Sequence, residues 1–495
     1  MSDMYIPGIK SRFDSEKIIE DLMKIERLPK DRAENNISRI ETERGYWQEV
    51  GTRTKTLADS ARLLFSYQNP FNDRTVSSSD ESIITAIASR DSIEQDTSFT
   101  VKQIAQADRF LSSPLEENYN VEGGVYTFSV GNDEISFDFK GGTLRDFADA
   151  LNRRGRDKVQ ASLIAVKSGT RSLLIESKVT GEENRLGFAG DALTLGVMTG
   201  MLERTDDGSG EPAFRPLNAV STAKDAIISM EGIEIQRSTN EIDDIVPGLT
   251  ITVKGTSDRP VRLRTETDTE SIKDAIITMV GNYNRLMAEI NVLTRNDEKI
   301  VEELNYLTKD EKDDYKKRLG SFSGDSTLTQ IRSSLVRIVN TPLQNSDNSD
   351  ISLLAQIGIG TDIRRAGGAD ASRLRGYLEI DEKALDAAIS SNLPAVKNLF
   401  GFDSTGDLIA DTGVAYSIDA LAKPYTDSTG IFTQKTNNIN TRIDQERRRI
   451  ETLDRQLAAK ELVLKRQYGQ MESAYNRMEQ MSSSFDRFQQ QNSNY

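Results

Sequence analysis

Ile443, Ile450, Leu457, Leu464, Met471, Met478 and Phe485 recur every seven residues through the C-terminal end of the chain. A sustained seven-residue apolar repeat predicts a long helix with a coiled-coil-like seam. A second apolar row, Leu453, Ala474, Met481 and Phe488, runs beside it and is interrupted by Glu446, Lys460 and Gln467. From Ile439 to Phe488 such a helix is about 75 Å long at 1.5 Å per residue. The N-terminal end offers a partner. After Pro29, the residues Ala33, Ile37, Ile40, Trp47, Val50, Leu57, Ala61 and Leu64 step by threes and fours, with gaps at Arg44 and Thr54. Asp14 and Ser15 are candidate caps for a short earlier helix carrying Ile18, Ile19, Leu22 and Ile25. Trp47 lies on the apolar stripe, where an aromatic ring ordinarily fills core space.

Between these ends the period changes to two. Tyr126, Phe128 and Val130 alternate, then Gly131-Asn132-Asp133-Glu134 intervenes, then Ile135, Phe137 and Phe139 alternate, which predicts a β-hairpin. Gly141-Gly142 ends it. Thr143 and Asp146 form a capping-box pair ahead of a helix with Leu144, Phe147, Ala148 and Leu151. Further strands are predicted at Val159–Ala165, Leu173–Ile175, Ala226–Met230, Ile233–Ile235, Leu249–Val253 and Val261–Leu263. Residues 206–216, rich in Gly, Asp and Pro, read as an exposed loop. Helical period returns after Ser271, taken with Asp274 as a cap, at Ile272, Ile276, Met279, Tyr283, Leu286, Ile290 and Leu293. It continues at Leu328, Ile331, Leu335 and Ile338 behind an Asp325-Ser326-Thr327 cap, and Leu378–Phe400 adds a short strand and helices.

The fold class that follows is α+β. The elements run helix, β-rich middle, helices, long helix. If the long N- and C-terminal helices pair, they form a coiled-coil-like stalk, and the family resemblance set out below implies that a helical domain and two nested β-rich head domains complete the chain. The expected segments are 1–75 for the N-terminal stalk helices, 76–118 and 218–268 for an inner head domain, 119–217 for an outer β-rich head domain inserted in it, 269–430 for a helical leg domain, and 431–495 for the C-terminal helix. The 495 residues fit about three domains.

Composition narrows the chemistry. The chain holds no His and no Cys. That excludes Ser-His-Asp and Cys-His catalysis, zinc or iron sites with His or thiolate ligands, and disulfides. The formal net charge of −15 is poor for binding a phosphate backbone, so no nucleic-acid partner is expected. The N-terminus lacks the apolar core of a secretory signal, and the apolar runs are too short to span a bilayer. The expectation is a protein without membrane insertion, soluble or exported by a route that needs no cleaved signal.

The remaining motifs have ordinary readings. Gly324-Asp325-Ser326-Thr327-Leu328 resembles an esterase serine motif, but no His is present to activate the serine, and a helix cap explains the polar residues. Asp347, Asn348 and Asp350 lack the Gly and Glu that a calcium loop needs further along, since Ser352 and Gly358 stand there. Gly358-Ile359-Gly360 has Ile363 where a dinucleotide fingerprint has its third Gly. Arg447-Arg448-Arg449 is flanked by Asp444, Glu446, Glu451 and Asp454 and reads as a solvated helix face. No catalytic, cofactor or metal residue is expected. The candidate functional residues are those of the helical seams: Ile37, Ile40, Trp47, Ile443, Ile450, Leu453, Leu457, Leu464, Met471, Met478 and Phe485.

Taken in order, several blocks resemble the flagellar filament-capping family, also known as flagellar hook-associated protein 2 or FliD. They are Ile18–Met23 with Glu26-Arg27-Leu28-Pro29; Ser98–Val101 with Gln103–Ala107; Thr143–Asn152; Glu231-Gly232-Ile233, Asn240 and Pro247–Thr250; Tyr283-Asn284; Gly324-Asp325-Ser326; Ile357-Gly358-Ile359; and Val396–Gly401. The acidic stretch between Leu186 and Pro216 departs from the family pattern.

The resemblance implies a non-enzymatic protein without cofactors. It would form a ring-like homo-oligomer, commonly a pentamer, at the tip of the bacterial flagellum. There it would promote flagellin polymerisation and filament elongation and prevent loss of flagellin monomers. Implied partners are other copies of the chain, flagellin, the hook-filament junction proteins, and the flagellar export apparatus and chaperone. The location would be extracellular or, for internal flagella, periplasmic. Two other readings fit the residues: a secreted or surface coiled-coil adhesin, and a glycosidase whose two carboxyls converge about 5–10 Å apart in the β-rich middle.

Overall fold

The structure, a computed structural model, describes residues 15–206, 212–343, 351–361 and 375–492. Asp14, Asp347, Asn348, Asp350 and Ile363 lie outside them, as do residues 207–211. The chain divides into two compact units, residues 70–272 and residues 1–69 with 273–495.

The 70–272 unit is β-rich and contains two hydrophobic cores. The first lies between two antiparallel sheets. One has the strand order Arg74–Ser78, Val261–Thr267, Gln95–Gln103, Ala226–Met230, Ile233–Arg237, and the other Glu241–Ile242, Leu249–Val253, Ile84–Ala88. Alternate residues point inward, as the two-residue strand period requires. Phe99, Val101, Ile228 and Leu263 from one sheet meet Ile84, Leu249, Ile251 and Val253 from the other, and all are buried.

The second core belongs to an inserted lobe. Its hairpin Gly124–Val130/Asp133–Phe139 pairs Val130 with Asp133 across the two-residue Gly131-Asn132 turn. Gly131 has φ +58°, the left-handed conformation that such a turn demands. Thr143 and Asp146 make the expected capping box at the helix Leu144–Gly155. Its Phe147 packs edge-on against Tyr126, ring centres 4.8 Å apart, and against Phe139 at 5.5 Å. Val159–Ile164, Thr170–Ser177, Arg109–Leu111 and Ala219–Ser221 form the lobe's main sheet.

The two crossing segments between the cores lie side by side. Gln106 N donates to Lys224 O at 2.8 Å, and Lys224 N donates to Gln106 O at 3.1 Å. Beyond this bridge, the buried Asp108 carboxylate accepts from Ala223 N and Leu186 N, each at 2.7 Å. Before it, the Asn240 side chain pairs with Ala105 like a strand neighbour, accepting from its N–H at 2.7 Å and donating to its carbonyl at 2.8 Å.

One expectation fails in this unit. Residues 212–216 are not loop. Pro212–Pro216 pairs with Leu202–Asp206, with Leu202 opposite Pro216 and Asp206 opposite Pro212. The two prolines stand at the strand ends, where a missing N–H removes little from a two-stranded ladder.

The other unit is helical. The N-terminal helix runs unbroken from Ser15 to Leu63, and the C-terminal helix from Ile431 to Asn492. The separate short helix expected before Pro29 does not exist, because the helix continues through this proline. Ile25, whose carbonyl loses its helical partner to Pro29, is itself exposed, so water can satisfy that group. Thr54, a gap in the apolar stripe, is buried and donates its hydroxyl to Val50 O at 2.8 Å, so it packs as core.

In the helix Thr269–Thr294, Ile272, Ile276, Met279, Tyr283, Leu286, Ile290 and Leu293 are all buried, following the expected period. Its cap is Asp268 rather than Ser271. The carboxylate accepts from Ser271 N at 3.0 Å and Ser271 Oγ at 2.6 Å. Asp325 caps the helix Ser326–Asn340 by accepting from Leu328 N. Gly358 takes φ +80° at the end of a 3-10 turn, which accounts for the Gly-Ile-Gly motif.

Candidate functional site

The terminal helices lie antiparallel against each other. Moving up the N-terminal helix, Ser15 donates to Glu472, Glu26 pairs with Lys460 at 3.4 Å, and Lys30 with Asp454 at 2.6 Å. Asn36 Nδ2 donates to Glu446 Oε1 at 2.8 Å, and Arg44 Nη1 to Asn440 Oδ1 at 3.2 Å. Asp454 accepts a hydrogen bond from Lys30 and holds its ammonium pKa above the ordinary value. Arg447 reaches Glu41 at 3.5 Å and Arg449 pairs with Glu446 on its own helix, but all three arginines of the basic run are exposed, so it is a solvated helix face with one contact across the pair.

Near the middle of the N-terminal helix the pair widens into an aromatic cluster. Trp47 stacks on Phe322 with ring centres 4.8 Å apart and lies 6.0 Å from Phe432. The Lys435 ammonium sits 4.0 Å from the Trp47 ring centre. One turn further, Arg53 and Glu49 join Arg318 and the fully buried Glu289. Arg318 donates to Glu49 Oε2 at 2.7 Å and to Glu289 Oε1 at 3.2 Å, while Arg53 donates to Tyr315 OH at 2.8 Å. Burial pushes the Glu289 carboxyl pKa up, and repulsion from Glu49 adds to it against the pull of Arg53 and Arg318. Burial pushes Glu49 the same way, but its bonds to Arg318 and Arg53 win and hold it low.

The seam residues named from the sequence divide into two groups. Ile40, Trp47, Ile443 and Leu464 are buried, and Ile37, Ile450, Leu453 and Leu457 are half-buried, all along the paired stretch. Met471, Met478 and Phe485 are exposed by 46%, 64% and 66%. They lie at or beyond the level of Ser15, where the described part of the N-terminal helix starts. The side chain of Phe488 is outside the description. Of the three polar interruptions, Glu446 bonds Asn36, Lys460 pairs with Glu26, and Gln467 is exposed.

The cross-links from Glu26, Lys30 and Asn36, and the Phe322, Lys435 and Glu289 contacts to the N-terminal helix, were not among the sequence candidates. The only signal available was opposite charge on two helices, which does not give register. Among the described residues, no group of three or more acidic side chains is placed to hold a metal ion, and no helix is long and apolar enough to cross a membrane.

The described fold is thus a helical unit closed by the paired terminal helices, with a doubly cored β unit between them in sequence. Residues 11–108 match the N-terminal and residues 223–480 the C-terminal family model of flagellar hook-associated protein 2. Flagellar hook-associated protein 2 of Treponema maltophilum is 30% identical, over 92% of this chain and 94% of that protein. The aligned stretch of 631 positions exceeds the 495 residues here, so that relative carries inserted residues. The A-type protein of Pseudomonas aeruginosa is 27% identical over 96% and 95%. The crystal structure of the D1-D2-D3 domains of the flagellar cap protein FliD from Escherichia coli shares the fold, with a TM-score of 0.56 and 22% identity over 80% of this chain and 99% of that one. The chain belongs to the flagellar hook-associated protein 2 family, the filament-cap proteins of bacterial flagella.

Proposed function

We propose that the chain assembles with copies of itself into a ring-like cap, commonly a pentamer, at the tip of the flagellar filament. Arriving flagellin inserts beneath this cap, and flagellin monomers are kept from escaping. The observation that carries the reading, beside family membership, is the apolar stripe of the C-terminal helix. Met471, Met478, Met481 and Phe485 are 46–66% exposed on a helix whose preceding turns are seated on a partner. A stripe of this kind marks a surface made to be covered. The role is structural rather than enzymatic. Hook-filament junction proteins, the export apparatus and its chaperone are the further partners this role requires. The site of action is outside the cell or, where flagella are internal, the periplasm.

Deleting the gene tests the reading. Short or absent filaments, with flagellin accumulating in the medium or periplasm, are expected. Filaments of normal length in the deletion strain would overturn it.

A further inference from the structure

The turn spanning residues 403–411 carries two neighbouring apolar side chains into solvent. Leu408 is 95% exposed and Ile409 68%. The backbone beneath them is pinned. Asp403 accepts from Thr405 N at 3.0 Å, Gly406 N at 2.7 Å and Leu408 N at 2.6 Å. Asp411 accepts from Ser404 N at 3.0 Å, and Asp407 from Ile409 N at 3.0 Å. Leu408 is held at φ +70°, a conformation that costs a branched L-residue energy and persists only where its surroundings impose it. Two apolar side chains on so firmly held a support form a small knob, on a turn whose three aspartates, with no basic residue among 403–411, leave it negatively charged.

The same helical unit contains a matching recess. A cleft of about 510 Å³ opens where the two terminal helices meet the end of the helix Val414–Thr426. Trp47, Tyr425 and Phe432 show only their edges at its floor, each 4–8% exposed, and Lys55 stands at its lining. Among the described residues Lys55 has no ion pair, so its charge is available to a carboxylate from outside.

Knob and cleft lie at opposite ends of one rigid element. The base of the turn closes through Phe402 N to Thr412 O at 2.9 Å, immediately before the helix Val414–Thr426 begins, whereas Tyr425 and Thr426 at its end line the cleft. The helix is about 20 Å long. A closed nine-residue turn reaches no more than about 15 Å from its base. The knob therefore does not fill the cleft of its own chain.

We propose that the Leu408–Ile409 knob of one copy docks into the Trp47–Phe432 cleft of a second copy, with Lys55 of the cleft meeting the carboxylates of the turn. This rests on the reading of the chain as a self-assembling cap and names one contact that would build it. Two different surfaces of one chain make a head-to-tail contact, which closes into a ring when the rotation per subunit allows. A single knob buries little area, so one contact is weak, and ring closure supplies the avidity.

The native chain has no Cys, so engineered thiols report without background. The full-length Leu408→Cys and Thr52→Cys chains, the latter carrying its thiol at the cleft, are mixed under mild oxidation. The concentration is one at which the wild type sediments as oligomers. A disulfide-linked species of twice the chain mass is expected from the mixture and not from either variant alone. Adding Lys55→Glu to the Thr52→Cys chain should cut its yield at least about fivefold, following the weakened charge contact. Oligomers without the mixed cross-link, or a cross-link indifferent to Lys55→Glu, overturn the assigned contact and leave self-assembly standing. A wild-type chain that stays monomeric at every accessible concentration removes the self-assembly reading, and the contact with it.

Discussion

Lys435 Nζ lies 4.0 Å from the centre of the Trp47 ring and 2.7 Å from Asp325 Oδ2. One ammonium thus joins the two terminal helices to the capping residue of the helix Ser326–Asn340. The ion pair is about one-quarter exposed on each side, so it is only partly screened. Lys435→Met should cost about 1–2 kcal/mol, the sum of a shielded cation–π contact and a partly buried ion pair. Trp47 is the only tryptophan, so the midpoint of urea unfolding followed by its fluorescence reads this site directly. An unchanged midpoint would show that the contact contributes nothing.

Asp108 accepts two backbone N–H bonds at the neck of the inserted lobe. Asp108→Ala leaves Ala223 N and Leu186 N without their partner and should cost about 2–4 kcal/mol. The loss should concentrate in the inserted lobe. Hydrogen exchange is expected to quicken in the strands Leu186–Gly190 and Thr170–Ser177 and to stay unchanged in the C-terminal helix.

Glu289 supplies a pH dependence with a definite sign. Its folded pKa is raised above the ordinary carboxylate value, chiefly by burial. A raised folded pKa favours the native state while the group is protonated, and that advantage is lost as pH climbs through the folded value. Wild-type stability should therefore fall relative to Glu289→Gln as pH rises above about 4.5, the unfolded value, toward neutrality. Parallel denaturation series of the two proteins check this, and a gap that widens in the opposite direction would contradict it.

Pro29 interrupts the hydrogen-bond ladder of an otherwise continuous helix at an exposed position. Pro29→Ala restores one donor and a favourable helix former, and should stabilise the N-terminal helix by about 1–3 kcal/mol. Slower amide exchange over residues 15–35 is the expected reading.

Replacing Ile450, Leu457 and Leu464 together with Ser removes three seam contacts that are half-buried or buried. The β-rich unit should keep its circular-dichroism signature and melting transition, while capping is lost in a complemented deletion strain. In dilute wild-type protein we expect weak exchange protection over residues 440–488, rising on assembly. Strong protection in the monomer would show that the seam serves only the chain's own helix pair.

Much of this architecture was legible because local and tertiary signals agree. Phe128 and Ile135 alternate about a Gly-Asn turn, and Thr143 and Asp146 announce a helix whose apolar face is Leu144, Phe147 and Leu151. The failures came where a local signal is outweighed. Pro212 and Pro216 read as loop, yet at strand ends they obstruct nothing. Pro29 reads as a break, yet the helix continues on the support of Met23 and Ala33 packed on either side of it. The heptads showed that each end is helical but not how the two align. Alignment depends on Lys30 meeting Asp454 and Asn36 meeting Glu446, and residue types alone do not pair partners more than 400 positions apart. Leu408 and Ile409 stand outside every periodic pattern in the sequence, and only their exposure marks them as surface.

The bridge between Gln106 and Lys224 brings the two ends of the inserted lobe together at neighbouring positions. Beside that crossing the lobe also rests on the sandwich through Thr180, whose hydroxyl donates to Ser238 O at 2.6 Å, and Glu182, whose N–H donates to Asp225 Oδ1 at 2.6 Å. The lobe thus hangs from adjacent anchor points, so a change of length in its distal hairpin Gly124–Phe139 lies remote in sequence from both and leaves the register of the sandwich strands unaltered.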